Sequence, residues 1–220
     1  MKCLLPFLLL ANPAAIFAAG LEFTTSLQEI DAPVDSKSVV AEFPFTNRSG
    51  KTITIARHDS PCSCLGIEIS NGKLSYAPGE SGVVRAKFSI GDFSGTVDKS
   101  ISLWLDKDHS TKPGQTLTVR VKIPVLVTME PKTVAFKIGG AKEAQTIDIR
   151  MHGDQPSKVT KIVASSTAFR HELITVEDGK HYRLRIEPVD PAKRELAVFR
   201  IETDVTSPRQ RVQQAFAVVR

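Results

Sequence analysis

From Leu21 onward, apolar and polar residues alternate with a period of two, the pattern of strands that bury one face and wet the other. Ala41, Phe43 and Phe45 point one way while Glu42, Pro44 and Thr46 point the other, and Asn47-Arg48-Ser49-Gly50 then turns the chain. Further one-sided strands are predicted at Ile53/Ile55, Ile67/Ile69, Leu74/Tyr76, Val84/Ala86/Phe88/Ile90 and Ile101/Leu103/Leu105. Asn71-Gly72 tolerates positive φ at both positions and predicts a hairpin between Ile67/Ile69 and Leu74/Tyr76, with Pro78-Gly79 as the next turn. Leu117, Val119, Val121, Ile123, Val125 and Val127 share one face of a single long strand.

The scheme repeats with Val134/Phe136/Ile138, Ile147/Ile149/Met151, Ile174/Val176, Tyr182/Leu184/Ile186, Ala197/Phe199/Ile201 and Phe216/Val218. No amphipathic-helix pattern competes. Many short strands with turns between them predict an all-β chain of two tandem immunoglobulin-like β-sandwich domains, residues 21–128 and 129–220, joined at Met129-Glu130-Pro131. Thr52–His58 shares its skeleton with Thr146–His152, where a tandem repeat would place the match.

Residues 1–20 do not follow this rhythm. Lys2 precedes an apolar run, Cys3 to Phe17, and Ala18-Ala19-Gly20 supplies small residues, so a signal peptide cleaved before Leu21 is predicted, with a periplasmic or extracellular destination. A spanning helix needs about 20 uninterrupted apolar residues; Pro6, Asn12 and Pro13 break this run, and no later stretch is long enough. No stable membrane span is therefore expected. With 41% hydrophobic and 24% charged residues, the chain has the composition of a globular protein able to bury a core. Its excess of positive charge lies in the second half, where residues 129–220 carry 16 Lys and Arg against 12 Asp and Glu, while 21–128 carry 12 of each. Those bases alternate with apolar residues along predicted strands and read as a solvated face, which argues against a nucleic-acid partner.

The candidate chemistry is concentrated in Pro61-Cys62-Ser63-Cys64, the two cysteines that remain once the leader is gone. Residues two apart on an extended chain project to the same side. In one reading they form a disulfide, which needs a turn, because extended Cα atoms two apart lie about 6.5–7 Å from each other, at the edge of bridgeable geometry. In a second they ligate a soft metal such as Cu(I), with His58 or His109 as third ligand. In a third they are small apolar residues at the end of a strand. His152 recurs at the place of His58 without accompanying thiols, which favours a structural part for both histidines. Ser70-Asn71-Gly72-Lys73 has Ser-x-x-Lys spacing but falls on a turn, and no Gly-x-Ser-x-Gly, His-Glu-x-x-His or phosphate-cradling loop is present. His171 and His181 flank a predicted strand pair, within reach of Glu172 or Glu177, and read by default as surface histidines.

Phe43-Pro-Phe-Thr-Asn47, Pro61-Cys-Ser-Cys64, Tyr76-Ala-Pro-Gly-Glu80, Gly82, and Gly95 followed by Lys99-Ser-Ile101 together resemble a bacterial family, the domain of unknown function numbered fifteen seventy-three. That family carries a Phe-x-Phe-x-Asn strand, Ser-Cys-Gly-Cys-Thr, a Pro-Gly-Glu turn, and a glycine before a Lys-x-Ile strand. The resemblance covers roughly residues 22 to 128, and the remainder is similar in style to Hydin-type modules. It implies a bacterial exported protein with the sandwich fold. Here Ser63 stands in place of the family's glycine and Leu65 in place of its threonine.

The expectation is an exported, non-enzymatic binding or scaffold protein of the cell envelope, without catalytic residues or a cofactor, engaging an envelope protein or polysaccharide by loops and strand edges. The alternative is a thiol-redox or copper-binding protein acting through Cys62 and Cys64, with His58 completing the copper site.

Overall fold

The computed structural model describes residues 20–106 and 111–220. The predicted leader and His109 lie outside the described residues. Among the described residues, nine strands occupy the first half: β1 (Leu21–Phe23), β2 (Leu27–Asp31), β3 (Ser38–Asn47), β4 (Ile53–Asp59), β5 (Leu65–Ile69), β6 (Ser75–Tyr76), β7 (Ser81–Ser89), β8 (Gly95–Leu105) and β9 (Gln115–Ile123). They form a four-stranded sheet, β1-β3-β7-β5, and a five-stranded sheet, β2-β9-β8-β4-β6. The alternation read from sequence holds on β3, where Ala41, Phe43, Phe45 and Asn47 are buried and Glu42 and Pro44 exposed. Phe43, Phe45, Ile55, Tyr76, Phe88 and Leu103 are the bulk of this core.

The second half holds β10 (Val127–Glu130), β11 (Thr133–Phe136), β12 (Gln145–Met151), β13 (Val159–Ala164), β14 (Phe169–Glu177), β15 (His181–Pro188), β16 (Glu195–Thr203) and β17 (Val212–Val219). Two four-stranded sheets result, β10-β12-β15-β14 and β11-β17-β16-β13. Their shared core is built on Phe136, Ile147, Ile149, Leu184, Ile186 and Phe199. The chain is thus all-β, arranged as two tandem sandwiches. Grouped by contacts it forms two compact units, one centred on Val40–Phe88 and the other on Arg120–Arg220.

Five expectations are corrected. Asn71-Gly72 does not close a hairpin: β5 pairs with β7 and β6 with β4, so the turn carries the chain from one sheet to the other. Its special backbone is as anticipated, with positive φ at Ser70, Asn71 and Gly72. The long strand from Leu117 to Val127 is split, because β9 ends at Ile123 and β10 begins at Val127, with Pro124 between them lacking the N–H that a continuing ladder needs. Met129 and Glu130, read as linker, belong to β10 and pair with Ile149 and Asp148.

On β17 the buried face is Ala215, Ala217 and Val219, and Phe216 and Val218 are half-buried. Pairing sets this parity: Ala215 stands opposite Phe199 and Ala217 opposite Ala197, so small residues fill the space beside a buried ring. Ile174 and Val176 are not core either. Phe169 is the buried residue of β14, and every later side chain of that strand is exposed.

Candidate functional site

The cysteine pair sits in the short loop between β4 and β5, where Cys62 and Cys64 are joined in a disulfide with their Cα atoms 5.1 Å apart. A turn closes that gap: the Leu65 N–H donates to the Cys62 carbonyl at 3.2 Å, and the Cys64 N–H points at the Cys62 sulfur at 3.1 Å. Ser63 does not take positive φ, so serine in place of glycine costs no backbone strain. Leu65 is buried at the start of β5, opposite Phe88. Both cysteines are half-buried, whereas Ser63 between them is exposed.

His58 is exposed on β4, opposite Leu103. Among the described residues no three His, Cys, Asp or Glu side chains gather as metal ligands, and the sulfurs of Cys62 and Cys64 are bonded to each other. His152 bonds Thr128 Oγ1 through Nε2 at 2.7 Å.

The other residues that carry the family resemblance converge elsewhere in the same sandwich. Asn47 is fully buried at the end of β3; its Nδ2 donates to the carbonyls of Lys51 and Tyr76, both at 2.8 Å, while Oδ1 accepts from the N–H and hydroxyl of Ser49. The backbone of Asn47 brackets the Pro78-Gly79 turn, with the Asn47 N–H reaching Glu80 O and the Gly79 N–H reaching Asn47 O. Phe45 meets Tyr76 edge-on at 4.8 Å, and Tyr76 donates its hydroxyl to Lys73 O. Gly82 passes so close that an added Cβ would lie 2.5 Å from the Phe45 ring and 2.6 Å from the Tyr76 ring. Glu80 accepts from Lys73 and from the Ala77 N–H, and these bonds hold its carboxyl below the usual range. Every one of these groups secures a neighbour in the fold, and none is aimed at open space with its bonding capacity free. The Phe-x-Phe-x-Asn, Pro-Gly-Glu and glycine positions therefore hold the sandwich together.

Sequence reading also missed several surface contacts. Arg120 on β9 grips Asp98 on β8 with two bonds of 2.8 Å and reaches Glu29 on β2 at 3.1 Å, because the strand order places three alternating charges side by side. The Arg57 guanidinium covers the Trp104 ring at 3.6 Å. In the second sandwich His181 bonds Asp148 at 2.6 Å, and Arg183 approaches the same carboxylate at 3.3 Å. The hydrogen bond from His181, then the charge of Arg183, hold the Asp148 carboxyl below its ordinary range. His171 lies edge-on against Phe199 at 5.3 Å. Neither histidine bonds Glu172 or Glu177.

β14 stands apart from the other strands. It is nine residues long, lies at the edge of its sheet, and exposes Leu173, Ile174 and Val176, with Val176 at 48%. Native sheets usually shield such an edge, which otherwise invites another strand.

A family described as "Protein of unknown function (DUF1573)" matches residues 21–123. Among solved structures, the chain is similar to a protein of unknown function from Porphyromonas gingivalis W83, at 13% identity and a TM-score of 0.36, covering 91% of this chain and 96% of the other. It is also similar to the secreted serine protease VesC from Vibrio cholerae (11% identity, TM-score 0.38, 91% of this chain and 50% of that one). The YadV chaperone matches at 5% identity and a TM-score of 0.35, over 90% of this chain and 99% of the other. Scores this low carry no functional argument. No curated protein matches the chain significantly.

Proposed function

Residues 21–123 of this chain belong to the DUF1573 family, and from that premise we propose an exported, non-enzymatic binding or scaffold module of the bacterial cell envelope, acting through a strand edge of its second sandwich. The observation that carries this reading is β14, whose exposed apolar side chains sit on a sheet edge. A partner strand laid along that edge would gain main-chain hydrogen bonds for affinity and side-chain contacts with Leu173 for specificity. The leader-like residues 1–20 support export, and the engagement of the family's signature residues in fold-holding bonds supports a structural role for the first sandwich. The partner class is an envelope protein, since strand addition requires a polypeptide.

Leu173→Lys tests the reading, because a charge on an exposed edge residue blocks pairing and leaves the core alone. After crosslinking in envelope preparations, the wild type is expected to yield adducts that the variant loses. Equal adducts from both would refute a working edge at β14.

A second reading rests on the half-exposed Cys62–Cys64 disulfide, which a small thiol or a redox partner could reach from solvent. It predicts thiol–disulfide exchange with glutathione that disappears in Cys62→Ser/Cys64→Ser, with the circular dichroism spectrum unchanged.

A further inference from the structure

We infer that the strand received by β14 is β14 of a second copy of this chain, laid antiparallel across a two-fold axis at His171. The inference rests on the edge reading above and names its partner.

The direction of the backbone groups comes first. The Val189 N–H bonds the Ala168 carbonyl at 2.8 Å, and the register continues from that pair with Arg170 opposite Glu187, Glu172 opposite Arg185 and Ile174 opposite Arg183. In an antiparallel ladder alternate residues turn their N–H and C=O to the same neighbour. Ala168, Arg170, Glu172 and Ile174 therefore face β15, and Phe169, His171, Leu173 and Thr175 present theirs to the open side. That stretch is regular; the β-bulge begins only beyond Thr175.

Charge then selects the occupant and its register. The in-sheet neighbours of Arg170 and Glu172, namely Glu187 and Arg185, pair with each other at 3.4 Å. Arg170 and Glu172 make no ion pair of their own among the described residues. They flank His171 on the outer face of the strand. When a second copy runs antiparallel with His171 opposite its own copy, Arg170 faces Glu172 of the second copy, and the symmetry repeats the pair. The axis at His171 also sets Phe169 against Leu173 of the second copy and joins outward-facing backbone groups in about six N–H···O=C bonds. Moving the axis by one residue places Arg170 on its own copy, or Glu172 on its own copy, and like charges directly opposite are destabilising. A parallel copy would likewise set like beside like. The opposite charges two residues apart thus repel the wrong registers and fit this one.

Sedimentation of the full chain, processed as the cell exports it, decides the matter with Arg170→Glu, Glu172→Arg and the double swap. Wild type is expected to shift from one-chain to two-chain mass as concentration rises. Each single variant puts two pairs of like charges at the axis and should weaken association by roughly tenfold or more. The double swap restores both pairs and should recover association. A chain that stays at one-chain mass overturns the inference, as does a double swap that stays as weak as the single variants while its near-ultraviolet dichroism matches wild type. If Leu173→Lys still abolishes envelope adducts in a one-chain protein, the inference fails and the edge reading stands. If the adducts also persist in Leu173→Lys, both fail.

Discussion

At the residue scale, Asn47 shows how a residue that carries the family resemblance earns its place through bonding capacity. A buried amide satisfied on both sides ties the end of β3 to the carbonyl of buried Tyr76 and to that of Lys51, which also accepts from the Ser49 hydroxyl. Asn47→Ala is expected to cost about 1–3 kcal/mol, chiefly through the bond lost to the buried Tyr76 carbonyl, read as a lowered midpoint in urea. Sequence marked this residue as part of a turn, and its burial was not legible there, because an asparagine that solvates a turn and one that pins it have the same spelling. Asp148 makes a contribution of a different kind. Its carboxyl is held below the ordinary range by His181 and Arg183, so the folded state binds the proton less readily than the unfolded chain. That contribution is present above the unfolded carboxyl pKa and is lost as pH falls through the depressed folded value. Asp148→Asn should flatten that part of the acid limb when urea midpoints are compared across acidic pH, with wild type falling more steeply. His181 does stand opposite Glu177, yet it bonds Asp148 on the strand at its other side, because the order of strands in a sheet, which periodicity does not specify, decides who the neighbours are.

At the element scale, the period-two rhythm located strands well and misjudged faces where both sets of alternate residues are apolar. β17 is the clear case: Phe216 and Val218 are larger and more hydrophobic than Ala215 and Ala217, yet the alanines point inward because Phe199 fills the space opposite them. Phe199→Ala is therefore expected to destabilise by about 3–5 kcal/mol, while Phe216→Ala costs clearly less, as chemical denaturation of the two variants would show. The Asn71-Gly72 turn makes the same point about connections. Local chemistry fixed its positive φ, but pairing of β5 with β7 and β6 with β4 made it a crossing between sheets. Pro124 did leave a trace in sequence, since proline inside a run of alternating residues marks the place where a ladder stops.

At the scale of the whole molecule, two sandwiches suffice to bury the alternating faces, and the surface differences between them suggest a division of labour. The first sandwich invests its signature residues in its own closure, around Asn47, Tyr76 and Gly82. The second leaves a long edge open at β14. The all-β class and the tandem arrangement were legible from residue 21 onward because burying one face of a strand is a local requirement. The exposed edge was not, since Ile174 and Val176 look like core residues until the sheet order puts their strand last. The most direct test is hydrogen exchange of the protein in its envelope-bound form and isolated at a dilution that keeps it at one-chain mass. The predicted result is protection of the outward amides of His171, Leu173 and Thr175 on binding, with exchange at Cys62–Leu65 unchanged. Protection confined to the Cys62–Cys64 loop, with β14 exchanging as fast as in the isolated protein, would contradict it.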